Sequence, residues 1–238
     1  VIVSGPYAFL VSSDLPSLTF SNLRFSVKDG ADYFINLSSE EYQGTASFVS
    51  TEQQKFHGGT FKVDVGASVT FGVPVSFSGS SVGAGKRGGA IYNNGYITFE
   101  QSAKFDNNEV RTGSDASGVL LGCGGAMFNA ELGQATFREV TWFMGNTASG
   151  GEGGGALCNA GKVTFASRTY FTGNVAEEAG GRSGGDGGAV HTAAGGVTTF
   201  RRKANFRNNR SGSTGGAVHS GGITILEGSG VFSGNMAW

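Results

Sequence analysis

The chain has 238 residues, 43 of them glycine, 19 phenylalanine and three proline. Glycine at about two and a half times its usual share, beside so much aromatic surface, excludes an ordinary disordered chain and requires an unusual folded architecture. A formal net charge of −1 with 15% charged residues supplies no global field for nucleic acid or an anionic membrane, so neither is expected as a partner.

The start, VIVSGPYAFLVSSD, has neither an initiator Met nor a basic leader segment, and is read as the beginning of a mature or excised segment. No apolar run approaches the roughly 18 residues that span a bilayer, so this segment is not expected to insert directly into a membrane. Within residues 1–57, LTFSNLRF (Leu18 to Phe25) reads as a rung fragment, and the remainder as diverged coils or a cap. From Gly58 to Ser80, GGTFKVDVGASVTFGVPVSFSGS follows a template that becomes plain downstream.

That template is GGA plus an aliphatic residue, closed by F-x-x-N. It starts at Gly88, Gly124, Gly154, Gly187 and Gly215, with intervals of 36, 30, 33 and 28 residues. The closing pairs are Phe105/Asn108, Phe143/Asn146, Phe171/Asn174, Phe206/Asn209 and Phe232/Asn235. The variable length falls between F-x-x-N and the next GGA, as in Glu109 to Cys123 and Val175 to Asp186. Those loops are the expected carriers of any specificity.

Apolar letters alternate within a tile, as Val163 and Phe165 do around Thr164, so the local period is two and the elements are short strands. A tile of about 30 residues with three short strands cannot bury its own inner face, but stacked tiles share a continuous core. The prediction is an all-β, right-handed parallel β-helix of roughly seven or eight coils. Residues 1–57 and 58–238 then belong to one continuous domain, a rod about 35 Å long at about 4.8 Å per rung. The inner ladders are Ile91, Met127, Leu157, Val190 and Val218; Phe99, Phe137, Phe165 and Phe200; and Phe105, Phe143, Phe171, Phe206 and Phe232. The Asn closing each tile is expected to bond its amide to turn backbone.

The pairing of GGA[ILMV] with F-x-x-N at about 30-residue intervals resembles the passenger domains of the chlamydial polymorphic membrane proteins and related surface β-helices. The match covers Gly88 to Asn235 well and Gly58 to Ser80 loosely. The resemblance implies an exported, surface-displayed β-helix used for adhesion or structure. The chain shows neither the signal peptide nor the C-terminal membrane barrel of that family.

Candidate sites are sparse. The fifth tile position reads Tyr92, Phe128, Cys158, His191, His219 and is expected to face outward. Cys158, His191 and His219 on successive rungs form a candidate ladder for a soft-ligand metal such as zinc. A stacked aromatic and imidazole column explains the same residues, and no cofactor is expected. Cys123 precedes its GGA while Cys158 follows its own, so on extended strands the two would lie five positions, about 16 Å, apart. That is beyond disulfide reach, which predicts unpaired thiols or a bond to a neighbouring molecule.

The loop VGAGKRGG around Lys86 lacks the spacing and the Ser/Thr of a phosphate loop, and GGDGGAVH lacks the repeated Gly-Asp of calcium-binding rolls. The 18 acidic residues are dispersed, and the column after Phe105 runs Asp106, Met144, Thr172, Arg207, Ser233. Polysaccharide cleavage on a β-helix needs two or three carboxylates near one rung, so the chain is read as non-catalytic, with a polysaccharide lyase or hydrolase as the alternative. The basic run RRKANFRNNR, Arg201 to Arg210, could meet a sulfated or phosphorylated partner but more often is a solvated face. Asn36-Leu-Ser and Asn209-Arg-Ser are sequons. Asn36 is the better glycan acceptor, because Asn209 belongs to the F-x-x-N corner.

The function expected from these readings is an extracellular or cell-surface structural or adhesive β-helix, a subunit or segment of a fibre. Its partners would be copies of itself, stacked head to tail through Val231, Met236 and Trp238 on the last coil, or a surface glycan or host receptor.

Overall fold

The computed structural model describes residues 61–63, 65–82, 87–111, 122–177 and 185–238, and ahead of residue 61 the backbone of the strands alone. All strand pairings are parallel, and no helix occurs among the described residues. One complete coil runs through Met127–Asn129, Gln134–Phe137, Thr141–Met144 and Thr147–Ser149. The next follows through Leu157–Asn159, Lys162–Phe165, Thr169–Thr172 and Val175–Glu177.

Successive coils stack into sheets of nine, eight, eight and six strands. Six coils between Thr60 and Ala237 carry all four strands, and earlier strands from Ile2–Val3 to Gln54–His57 extend three of the sheets. The fold is therefore the expected parallel β-helix. The expected three strands per tile become four, because the chain pairs again for two or three residues just after the Asn. A strand that short carries no periodicity for a sequence reading to detect.

The registers align the ladders residue for residue: Phe137 with Phe165, Phe143 with Phe171, and Met127 with Leu157. Inward residues alternate with more accessible ones, and the ten largest fully buried side chains are all phenylalanines. Within a ladder the rings stack nearly parallel, Phe105 on Phe143 at 4.6 Å and Phe143 on Phe171 at 4.8 Å. Between the two ladders they meet edge to face, as Phe143 and Phe165 do at 88°. Both arrangements suit the ring quadrupole, so phenylalanine serves two adjoining ladders of the core, beside the aliphatic ladder of Ile91, Met127, Leu157 and Val190.

The corners explain the two motifs. The residue before each closing Asn has positive φ, 52° at Asn107, 60° at Gly145, 63° at Gly173 and 52° at Asn208, a region that Gly and Asn tolerate best. The following Asn is buried, and its amide joins neighbouring coils. Asn174 Nδ2 donates to Phe143 O and to Asn209 Oδ1, both at 3.0 Å. Its Oδ1 accepts from Asn146 N at 3.0 Å and from Asn146 Nδ2 at 2.9 Å. The Asn amide does bond turn backbone as expected, and in addition it forms a continuous ladder with its own kind. In GGA the first Gly again has positive φ, 69° at Gly124 and 67° at Gly154. At the second Gly, a Cβ on Gly125 would collide with the carbonyl oxygen of Gly155 in the next coil.

Candidate functional site

The left-handed first Gly of GGA folds the chain back sharply, so the residue just before it does not continue the following strand. The preceding residues Arg87, Cys123, Gly153, Asp186 and Thr214 instead form a column of their own. It is tied by backbone bonds from each following Gly: Gly88 N to Cys123 O at 3.0 Å, Gly124 N to Gly153 O at 3.1 Å, Gly154 N to Asp186 O and Gly187 N to Thr214 O, both at 2.8 Å. Cys123, Gly153 and Asp186 also pair as parallel bridges.

This column runs beside the fifth-position column, and its side chains reach one coil onward. The Arg87 guanidinium lies 4.8 Å from the Phe128 ring centroid, Cys123 meets Cys158, and Asp186 Oδ2 is 4.0 Å from His219 Nδ1.

Three expectations change in consequence. Cys123 and Cys158 form a disulfide, with Cα atoms 5.7 Å apart. The 16 Å separation assumed extended chain, whereas the glycine corner doubles the backbone back and brings the two residues together. The fifth-position residues do point away from the phenylalanine core, yet Phe128, Cys158 and His191 are buried. Cys123, Phe128, Ala130 and Cys158, flanked by Tyr92, make a second small apolar cluster under the corner. The metal ladder Cys158, His191 and His219 is overturned, because the Cys158 sulfur is consumed in the disulfide.

A different trio replaces it. One ligand atom each from Asp186, His191 and His219 lies within 4.8 Å of the other two. The two imidazoles stack, with centroids 5.0 Å apart and planes at 12°, and their Nδ1 atoms are 3.1 Å apart. Thr214 holds the carboxylate, donating to Asp186 Oδ1 from its Oγ1 at 2.6 Å and from its N–H at 3.0 Å. Burial alone would raise the Asp186 carboxyl, but the hydrogen bonds from Thr214 and Ser213, with the nearby His219, outweigh it and hold the group below its ordinary range. Burial, and then the neighbouring His219, hold the His191 imidazole below its ordinary pKa, against the upward pull of Asp186 and Glu152. The arrangement presents an ionised carboxylate and a neutral imidazole at one point. The alignment of tiles missed Asp186 because it lies outside GGA; the signal available was the residue before each GGA read as a column in its own right.

The remaining candidates are placed as follows. Asn209 is buried, with Nδ2 donating to Phe171 O at 3.1 Å and Asn235 Oδ1 at 2.9 Å, so the folded corner has no room for a glycan on it. Asn36 lies on strand Tyr33–Leu37, its backbone opposite Lys62, and its side chain is outside the described residues. Lys86 and most of the two long loops, residues 112–121 and 178–184, are also outside them. In the basic run Arg201, Arg202, Lys203 and Arg207 are exposed, while Arg210 lies 5.8 Å from the Trp238 ring. Among carboxylates elsewhere, Asp106 pairs with Lys104 at 2.9 Å and Glu100 with Arg138 at 3.0 Å. Of the assembly candidates, Met236 and Trp238 are exposed and Val231 is partly buried.

Comparison of the chain with protein-family models, with curated proteins and with solved structures finds no significant match, so the functional reading rests on the residues themselves.

Proposed function

We propose that the chain is a non-catalytic structural or adhesive rod of an extracellular or cell-surface assembly. The observation that carries this reading is the Cys123–Cys158 cross-link between consecutive coils of a solenoid filled by aromatic ladders. Disulfides persist in oxidising compartments, and a cross-linked ladder core suits a part that bears load rather than one that moves. The resemblance of GGA and F-x-x-N to the passenger repeats of chlamydial surface proteins points the same way.

Head-to-tail stacking of copies would use the last described coil. Strands Val218–Ser220, Ile223–Leu226, Gly230–Ser233 and Met236–Ala237 end the four sheets, and Ile223, Phe232 and Trp238 are more than half exposed. A following coil, whether further along the chain or from a second copy, would continue these parallel sheets and ladders. The test is light scattering and electron microscopy on Val1–Trp238, repeated with Val231→Lys and Met236→Lys. Concentration-dependent rods that the double variant abolishes support the proposal. A parent that stays monomeric at high concentration defeats the stacking, and release of products from uronate or neutral glycans defeats the non-catalytic reading.

A second reading, a glycan-binding surface, is favoured by one groove. Exposed Tyr96 and Leu132 line it beside the polar groups of Gln134, Asn94 and Lys162, a mixture that suits a sugar face and its hydroxyls. Binding on a glycan array that Tyr96→Ala removes would establish it.

A further inference from the structure

We propose that Asp186, His191 and His219 form a binding site for a divalent transition-metal ion of the zinc class, clipping the last two described coils together. Two imidazoles and one carboxylate are a recurrent zinc donor set, and they leave one tetrahedral position for water or a fourth ligand. The distances suit it. Two nitrogens bound to one tetrahedral ion at about 2.0–2.1 Å lie about 3.3–3.4 Å apart, and the two Nδ1 atoms stand at 3.1 Å. The third donor, Asp186 Oδ2, is 4.0 Å from His219 Nδ1, and all three donors fall within 4.8 Å of one another.

Two further observations support the site independently of that spacing. Thr214 directs both of its donors to Oδ1, which leaves Oδ2 turned to the histidines, the arrangement by which outer groups orient a ligating carboxylate. The same pair of columns is already cross-linked elsewhere in the rod. Cys123, before one GGA, is bonded to Cys158 at the fifth position of the next coil, and Asp186 stands to His219 as Cys123 stands to Cys158. His191 occupies the fifth position one coil earlier, in register between Cys158 and His219. The residue that stands to His191 as Asp186 stands to His219 is Gly153, before the GGA of the preceding coil, and it has no side chain to compete for the imidazole. His191 is buried and His219 partly exposed; because the two rings stack at 12°, a shared ion requires the His219 ring to turn out of the stack so that its Nδ1 lone pair meets the ion. The plainer account, an imidazole pair hydrogen-bonded through one N–H, uses the same atoms and predicts no metal uptake.

The experiment strips the oxidised protein with EDTA and titrates it with zinc chloride by calorimetry, and separately with cobalt(II) read by visible absorption. One equivalent should bind, with the intense absorption bands of tetrahedral cobalt. His219→Ala and His191→Ala should abolish uptake, Asp186→Asn should weaken it at least about tenfold, and Thr214→Val about tenfold or more. A Cys123→Ser/Cys158→Ser double variant should bind as the parent does, which separates this site from the sulfurs. A readout on the unaltered protein needs no variant to fold: zinc should protect His191 and His219 from diethylpyrocarbonate, with His57, the third histidine of the chain, as the reference. Absence of saturable one-to-one uptake, equal modification of the two histidines with and without zinc, or parental binding by His219→Ala would each overturn the site.

Discussion

Phe171 lies on Phe143 with ring centroids 4.8 Å apart and planes at 3°, and on its other side Phe206 stacks at 5.1 Å. A single ring is thus shared by three coils, so its removal is felt on both sides. Phe171→Ala should cost about 3–5 kcal/mol in urea unfolding. Thr172, the next residue, is exposed, and Thr172→Ala should cost less than about 0.5 kcal/mol. Equal shifts for the two would contradict the inward and outward facing.

The asparagine ladder should be as intolerant as the aromatic one. In Asn174→Ala, Phe143 O loses its donor and the Asn146 N–H its acceptor, both inside the protein. Each orphaned buried group costs about 1–3 kcal/mol. Asn174→Asp should be worse at neutral pH, because a carboxylate can accept from Asn146 but cannot donate to Phe143 O. Melting temperatures ranked parent, Ala, Asp would bear this out; an Asp variant as stable as the parent would refute the ladder.

The disulfide closes a loop with a sequence separation of 35 residues. Chain entropy for such a loop gives about 3–4 kcal/mol, so Cys158→Ser should lower stability by about that amount. Because both sulfurs are buried, alkylation of the native, unreduced protein should add no mass, and denaturation without reductant should expose no thiol. Two alkylated cysteines under that condition would exclude the bond.

Acid should loosen the last coils of the EDTA-treated protein before the rest. His191 in the folded state titrates below the value of about 6.5 that it has when unfolded. The unfolded chain therefore binds more protons between the two values, and stability is full above about pH 6.5 and declines as pH falls toward the folded pKa. The carboxylates of Asp186 and Glu152 and the ring of His219 surround it and set the extent. His191→Gln should flatten this part of the pH–stability curve, measured by urea midpoints from pH 7.5 to pH 5. A curve unchanged by the substitution would remove His191 as its source.

Periodicity and repetition determined the ladders from sequence alone. Phe137, Phe165 and Phe200, or Asn146, Asn174 and Asn209, recur at the same place in every tile, and a strand period of two leaves little choice about which way they face. Even the left-handed corners are legible, since only Gly and Asn appear just before the closing Asn in these tiles. Where two residues meet without sharing a tile position, the alignment is silent. Cys123 with Cys158, Arg87 with Phe128, and Asp186 with His219 each join a residue before GGA to the fifth position of the next coil. Their proximity depends on a backbone reversal at the first glycine, whose φ near 70° turns a linear separation of several residues into side-chain contact. Sequence spacing measures distance along an extended strand, and it fails at a corner. Only the tertiary structure could therefore decide that Cys158 is cross-linked and that Asp186 takes its place beside the histidines.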